Sequence, residues 1–168
     1  MNREQEMAAK VDRLRQWMNA NQKSGVLLQT RANFAWLTGG GLSYIDAASD
    51  QGVGAMLVTP DRVALVANNI EAQRFIEEEL TGLSVETITF PWHDATAEAK
   101  ALAQIVDVER LATDQTDADA ITARRSPLLE PEVTRYREHG QLTTQLTEQV
   151  CRAIKPGMTE DDVAAMVY

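Results

Sequence analysis

The stretch "VGAMLVTPDRVALVA" limits the possible folds more than any other in the chain. Two apolar runs, Val53 to Val58 and Val63 to Ala67, flank Thr59-Pro60-Asp61-Arg62. Proline presets the backbone angle of the second position of a type I turn, so the runs are predicted to form an antiparallel hairpin.

Met7, Val11, Leu14 and Met18 recur on one face of an opening helix, and their first role is core packing. "GVLLQT", Gly25 to Thr30, is short, apolar and bounded by turn-prone residues, which predicts a buried strand. After the hairpin, "NNIEAQRFIEEEL" opens with Asn68 three residues before Glu71, close to a capping box, and places Ala72, Phe75, Ile76 and Leu80 on one side of a helix. "LSVETITF" predicts a strand, and Asp94 then caps a helix whose Ala95, Ala99, Leu102 and Val106 share a face. "ERLATD" predicts a short strand and "DADAITARR" a short helix. The order is helix, strand, hairpin, helix, strand, helix, strand, helix: an α/β domain around a mixed sheet, residues 1–125.

Residues 126–168 differ in kind. Two prolines precede a long helical stretch in which Leu142, Leu146, Val150 and Ile154 recur every fourth residue. Gly140 in its middle signals close packing or a bend. Lys155-Pro156-Gly157 then ends that helix, and Thr159 caps another, with Glu160, Asp161 and Asp162 where a helix N-terminus favours negative charge.

Composition excludes several function classes. A net charge of −9, with 16 scattered Lys and Arg, repels phosphate backbones, so nucleic acid is not an expected partner. No apolar run approaches the length of a membrane span, and the N-terminus lacks the cation-then-apolar pattern of a signal peptide. The one cysteine, Cys151, cannot form an internal disulfide. A cytoplasmic protein is the expectation.

Signs of chemistry are sparse. Gly39-Gly40-Gly41 lacks the rest of a phosphate loop and reads as a turn. His93 and His139, the only histidines, have no i, i+4 partner for a metal. Asp114, Asp117 and Asp119 lack the glycine and distal glutamate of a calcium loop, and read as caps and solvated groups. Glu77, Glu78 and Glu79 point around a helix and read as solvated surface. "FPWHDAT" has the most functional character: Asp94 could orient His93, and Trp92 offers a stacking face at a strand end, although capping and surface packing account for these residues more simply.

Two stretches carry a family resemblance. "RANFAWLTGGGLSYI" resembles the "R-x-N-x-x-W/Y-L-T-G" segment near the start of the creatinase, prolidase and aminopeptidase P family, the pita-bread metallohydrolases. "LLEPEVTRYREHGQLTTQLTEQVCRAIKPGMTEDDVAAMV" resembles the first helices of that family's second domain. The resemblance implies a creatinase N-terminal-like, ribonuclease H-like mixed sheet, followed by a long and a short helix of a truncated catalytic domain. It also implies a parent that uses two divalent metal ions (Mn, Co or Zn), held by two aspartates, a histidine and two glutamates further downstream. Such a parent would cleave small peptides, most often before proline, or an amidino substrate.

No position here matches those ligand motifs, so the chain alone is expected to be inactive, with no catalytic or metal residue of its own. The family resemblance further implies a homodimer in which the N-terminal domain leans over the partner's active site. Tyr44, Trp92 and His93 are then the candidates for substrate contact in trans. The alternative is a non-catalytic interaction module, since related domains occur in a histone chaperone and the acidic balance suits a basic partner.

Overall fold

The computed structural model describes residues 1–46 and 48–167. It divides into two compact units, Met1–Pro127 and Leu128–Tyr168.

In the first unit, α1 (Arg3–Ala20) leads into β1 (Gly25–Thr30), α2 (Arg31–Thr38), β2 (Gln51–Val58) and β3 (Val63–Asn68). Then come α3 (Ala72–Arg74) with a π turn (Phe75–Glu79), β4 (Glu86–Phe90), α4 (Ala97–Ala103), β5 (Leu111–Thr113) and α5 (Ala118–Arg125). Among the described residues the strands form one mixed sheet in the order β4-β3-β2-β1-β5. The predicted hairpin is there: Val58 pairs with Val63, and the Thr59 amide donates to the Arg62 carbonyl at 3.0 Å. Both edge strands, β4 beside β3 and β5 beside β1, run parallel to their neighbours.

The sheet is covered on both faces, as the unbroken apolar runs require. Val26, Leu28, Met56, Val58, Leu65 and Ala67 face one cluster, built with α1, α2, Phe75 and Ile121. The alternate residues Leu27, Ala55, Leu57 and Val66 face a smaller one with Leu102 and Val106 of the α4 region. The α1 stripe is buried as expected, and it also takes in Lys10, 0% exposed. The Lys10 ammonium lies 2.6 Å from Glu6 Oε1 and donates to the Trp36 carbonyl at 2.5 Å, so the buried charge is paired and hydrogen-bonded.

Three sequence expectations need correction. The helix α2 was not foreseen. Thr30 ends β1 and at once caps α2, its hydroxyl accepting from the Asn33 amide at 3.4 Å, while Gly39 closes the helix in the left-handed conformation (φ 67°). No linker residues separate strand from helix, so no breaker signals the change of period.

Ile76 does not join the apolar face of its helix and is 43% exposed. The π turn is the reason: the Leu80 amide donates to the Phe75 carbonyl at 2.8 Å, so the buried face repeats at five residues instead of four. Asn68 does cap this segment, accepting from the Glu71 amide at 3.1 Å, but Glu71 pairs with Arg74 instead of completing a capping box.

Ala95 and Ala99 are exposed, because α4 starts only at Ala97 and its buried side is Ala97 and Leu102, followed by Val106. Asp94 folds onto its own turn, where its carboxylate accepts from the Thr96 amide and hydroxyl at 2.8 and 2.7 Å.

The second unit holds α6 (Glu130–Ala153) and α7 (Glu160–Ala164). Glu132 caps α6 by accepting from the Leu129 amide at 2.8 Å. Thr159 caps α7, exchanging hydrogen bonds with Asp162 as a capping box. Leu142, Leu146 and Ile154 of the predicted stripe are exposed. Gly140 does not mark close packing, since a Cβ there would meet nothing within 4 Å among the described residues.

Candidate functional site

Of the candidate residues, Tyr44 lines a cavity at the start of α2. A recess of about 680 Å³ opens where α2 begins, lined by Arg31, Asn33, Ser43, Tyr44, Asp50 and Arg125 among others. Arg31 is the first residue of α2, so its position is fixed by the strand-to-helix junction. Its backbone amide donates to the Asp50 carbonyl and its Nη1 to the Ser49 carbonyl, both at 2.9 Å. The guanidinium lies 4.0 Å from the centre of the Tyr44 ring, a cation–π contact that holds the phenol at the cavity wall.

Asn33 fixes the floor. Its amide nitrogen donates to Asp114, and its amide oxygen accepts from Arg125 Nη1 at 2.8 Å. Asp114 also accepts from the backbone amides of Gln29 and Thr30, the latter at 2.6 Å. One buried carboxylate therefore joins the end of β1, the first turn of α2 and the segment after β5. Asp114 is thus no solvated cap. It is a buried brace, and the asparagine of the "R-x-N" pattern is its relay to Arg125. Sequence reasoning missed this because the partners lie more than eighty positions apart.

The other wall is tight. The Ser43 carbonyl accepts from the Val53 amide at 2.6 Å, while the buried Ser43 hydroxyl has no partner among the described residues. A Cβ on Gly52 would lie 2.3 Å from that hydroxyl oxygen, so only glycine lets β2 pass beneath.

Trp92 and His93 lie elsewhere. They follow β4 and do not line this cavity. Trp92 is 63% exposed, and its ring meets His93 edge-on with centroids 5.9 Å apart. The Trp92 amide donates to Asn69 Oδ1 at 3.0 Å, which ties the backbone down but leaves both rings open. Asp94 does not orient His93. It is engaged with Thr96 and, at 3.2 Å, with Lys100, and the hydroxyl and amide of Thr96 followed by the lysine hold its pKa down to about 2.

Glu79 also departs from the expected solvated surface. Its carboxylate accepts from the Leu42 amide at 2.7 Å and pairs with Arg74 at 3.2 Å. Among the described residues no group of three or more His, Cys, Asp or Glu side chains converges as a metal site requires. The side chains described here therefore do not fit the dinuclear centre that the resemblance implies. No described helix is long and apolar enough to cross a membrane.

With this geometry in view, the chain can be set beside known proteins. It resembles the prolidase from Pyrococcus horikoshii OT3, with a TM-score of 0.66 and 17% identity over 95% of this chain and 47% of that one. The prolidase from Pyrococcus furiosus gives 0.64 and 16%, over 94% of this chain and 50% of its own. The Xaa-Pro dipeptidase from Bacillus anthracis gives 0.59 and 13%, over 96% and 47%. The chain thus spans about half the length of these solved structures, and at such identities the likeness is one of fold. No curated protein matches significantly. The Creatinase/Prolidase N-terminal domain family matches residues 10–152, the sheet unit with most of α6, and the chain belongs to that family.

Proposed function

We propose that this chain is the N-terminal, substrate-access domain of a cytoplasmic metal-dependent hydrolase. The parent would be an Xaa-Pro peptidase of the prolidase or aminopeptidase type, or a creatinase-like amidinohydrolase. Residues 1–125 form that domain, and residues 126–168 are the linker and opening helices of the catalytic domain. The two divalent metal ions are bound by residues outside the present chain, which is inactive alone. The working unit is a homodimer in which Tyr44, Trp92 and His93 of one subunit contact the small substrate held by the other.

The observation that carries the reading is the Tyr44 ring, held on Arg31 at the wall of the recess. It lies in the segment that resembles the family's N-terminal motif. An aromatic ring already held in place contributes contact area at little entropic cost on binding. Family membership and fold likeness to prolidases support the reaction class.

The test uses the full-length protein that carries this chain, assayed with Xaa-Pro dipeptides and a divalent metal. Tyr44→Ala and the double variant Trp92→Ala/His93→Ala are expected to lower kcat/KM by about tenfold, while leaving secondary structure intact. If kcat/KM is unchanged across several peptides, the contact in trans is wrong. The exposed apolar stripe of α6 favours a second reading, a non-catalytic interaction module. Absence of hydrolysis, together with capture of a basic partner that persists at moderate salt, would select it.

A further inference from the structure

The segment from Gly39 to Asp46 that carries Tyr44 is held from outside by four other elements. Arg3 of α1 donates through Nε to the Thr38 carbonyl at 2.6 Å and through Nη2 to the Glu79 carbonyl at 2.5 Å. One side chain thus clamps the start of the segment to the end of the π turn. Between them Gly41 has no room for a side chain: a Cβ would lie 2.8 Å from Thr38 Oγ1 and 3.3 Å from the Glu79 carbonyl. The next residue, Leu42, donates its amide to Glu79 Oε2 at 2.7 Å.

The second Glu79 oxygen is 3.2 Å from Arg74 Nη1, and the Arg74 guanidinium lies 4.6 Å from the centre of the Phe75 ring. Glu79 is therefore oriented by a cation that is itself fixed, and its side chain is only 16% exposed. An α-helical continuation of α3 would rotate position 79 away by the angle of the extra residue, so the π turn aims this carboxylate at the loop. Beyond Leu42 the loop gains its other supports, the Val53 amide on the Ser43 carbonyl and Arg31 against Tyr44.

We propose that Glu79 is a positioning residue for Tyr44. It touches no substrate. Through the Leu42 amide it fixes the loop that presents the phenol, and so tunes substrate affinity from the opposite end of the π turn. This rests on the reading of Tyr44 as a substrate contact.

The test pairs amide hydrogen exchange with kinetics in the full-length protein. Glu79→Ala is expected to speed exchange at Leu42, Ser43 and Tyr44 by about tenfold, the ratio given by one lost charge-assisted hydrogen bond, with the amides of β1 and β2 unchanged. KM for an Xaa-Pro dipeptide should rise by a similar factor while kcat holds within about twofold. Glu79→Gln, which keeps an acceptor for Leu42, should recover most of both effects. Should Glu79→Ala not fold, Gly41→Ala serves, because it displaces the same loop without altering the carboxylate, and it should raise KM alone.

Unchanged exchange at the loop, or acceleration spread evenly over the sheet, overturns the proposal. A KM that moves in Tyr44→Ala but not in Glu79→Ala overturns it as well. If the loop loosens and neither variant moves KM, the reading of Tyr44 falls while the hold of Glu79 on Leu42 stands.

Discussion

Two loops at strand ends carry aromatic and polar residues, and they are built in opposite ways. The Tyr44 loop is sewn to its surroundings by Arg3, Glu79, Val53 and Arg31. The Trp92-His93 loop has a single amide tied to Asn69, and both rings stand in the open. From sequence, "PWHD" looked richer in chemistry, because tryptophan, histidine and aspartate are adjacent. Adjacency along the chain is not convergence in space. The residues that hold Tyr44 come from α1, α2, β2 and the π turn, and none of them stands out by residue type.

The hold on Tyr44 depends on buried polar groups, which substitution can remove. The largest effect is expected for Asp114→Ala, which leaves the amides of Gln29 and Thr30 and the Asn33 side chain without their shared acceptor. An orphaned buried group costs about 1–3 kcal/mol, and here the Asn33 side chain is buried and the two amides are half-buried, so stability should fall by about 3 kcal/mol in urea unfolding. A change below about 1 kcal/mol would mean that the brace is dispensable and that the Tyr44 side is no better built than the Trp92 side.

Gly52→Ala should come next. The new methyl would collide with Ser43 Oγ at 2.3 Å, and overpacking of this kind costs about 1–3 kcal/mol. The Tyr44 environment, read by NMR, should shift with it. A neutral result would show that Ser43 moves freely.

The smallest effect belongs to the open loop. The Asp94 carboxyl titrates near 2 in the folded chain, below its ordinary value of 3.8, because Thr96 and then Lys100 favour the ionised form. A depressed folded value stabilises above the unfolded pKa, and that contribution is lost as pH falls through the folded one. Asp94→Asn should therefore be slightly less stable than wild type at neutral pH, with the gap closing as pH drops from about 4 toward 2. A gap that widens on acidification would reverse the assignment.

Much of the fold was legible because it rests on local rules. The hairpin announces itself by its turn, α1 by its stripe, and α7 by Thr159 and Asp162. The α2 helix was hidden because Thr30 serves strand and helix together, and the π turn because its altered period leaves no mark in the sequence and shows only in where it sends Ile76 and Glu79. The site was less legible. Asp114 resembles any aspartate in an acidic stretch until the fold brings Asn33 to it, and Glu79 resembles its two solvated neighbours until the π turn rotates it toward Leu42.

The edge position of β5 has a consequence in time. The β2–β3 hairpin closes a short loop and can pair early, and β1 can add to β2 soon after, whereas the outer edge of β1 must wait for β5, which begins at Leu111. On a ribosome, Gly25 to Thr30 emerge long before Leu111 to Asp114 have been made, so an aqueous edge stands open through most of synthesis. The carboxylate that secures Asn33 and Thr30 arrives with that last strand. The recess beside Tyr44 is thus a late product of folding, and a nascent chain that has finished its hairpin still lacks the brace that shapes its floor.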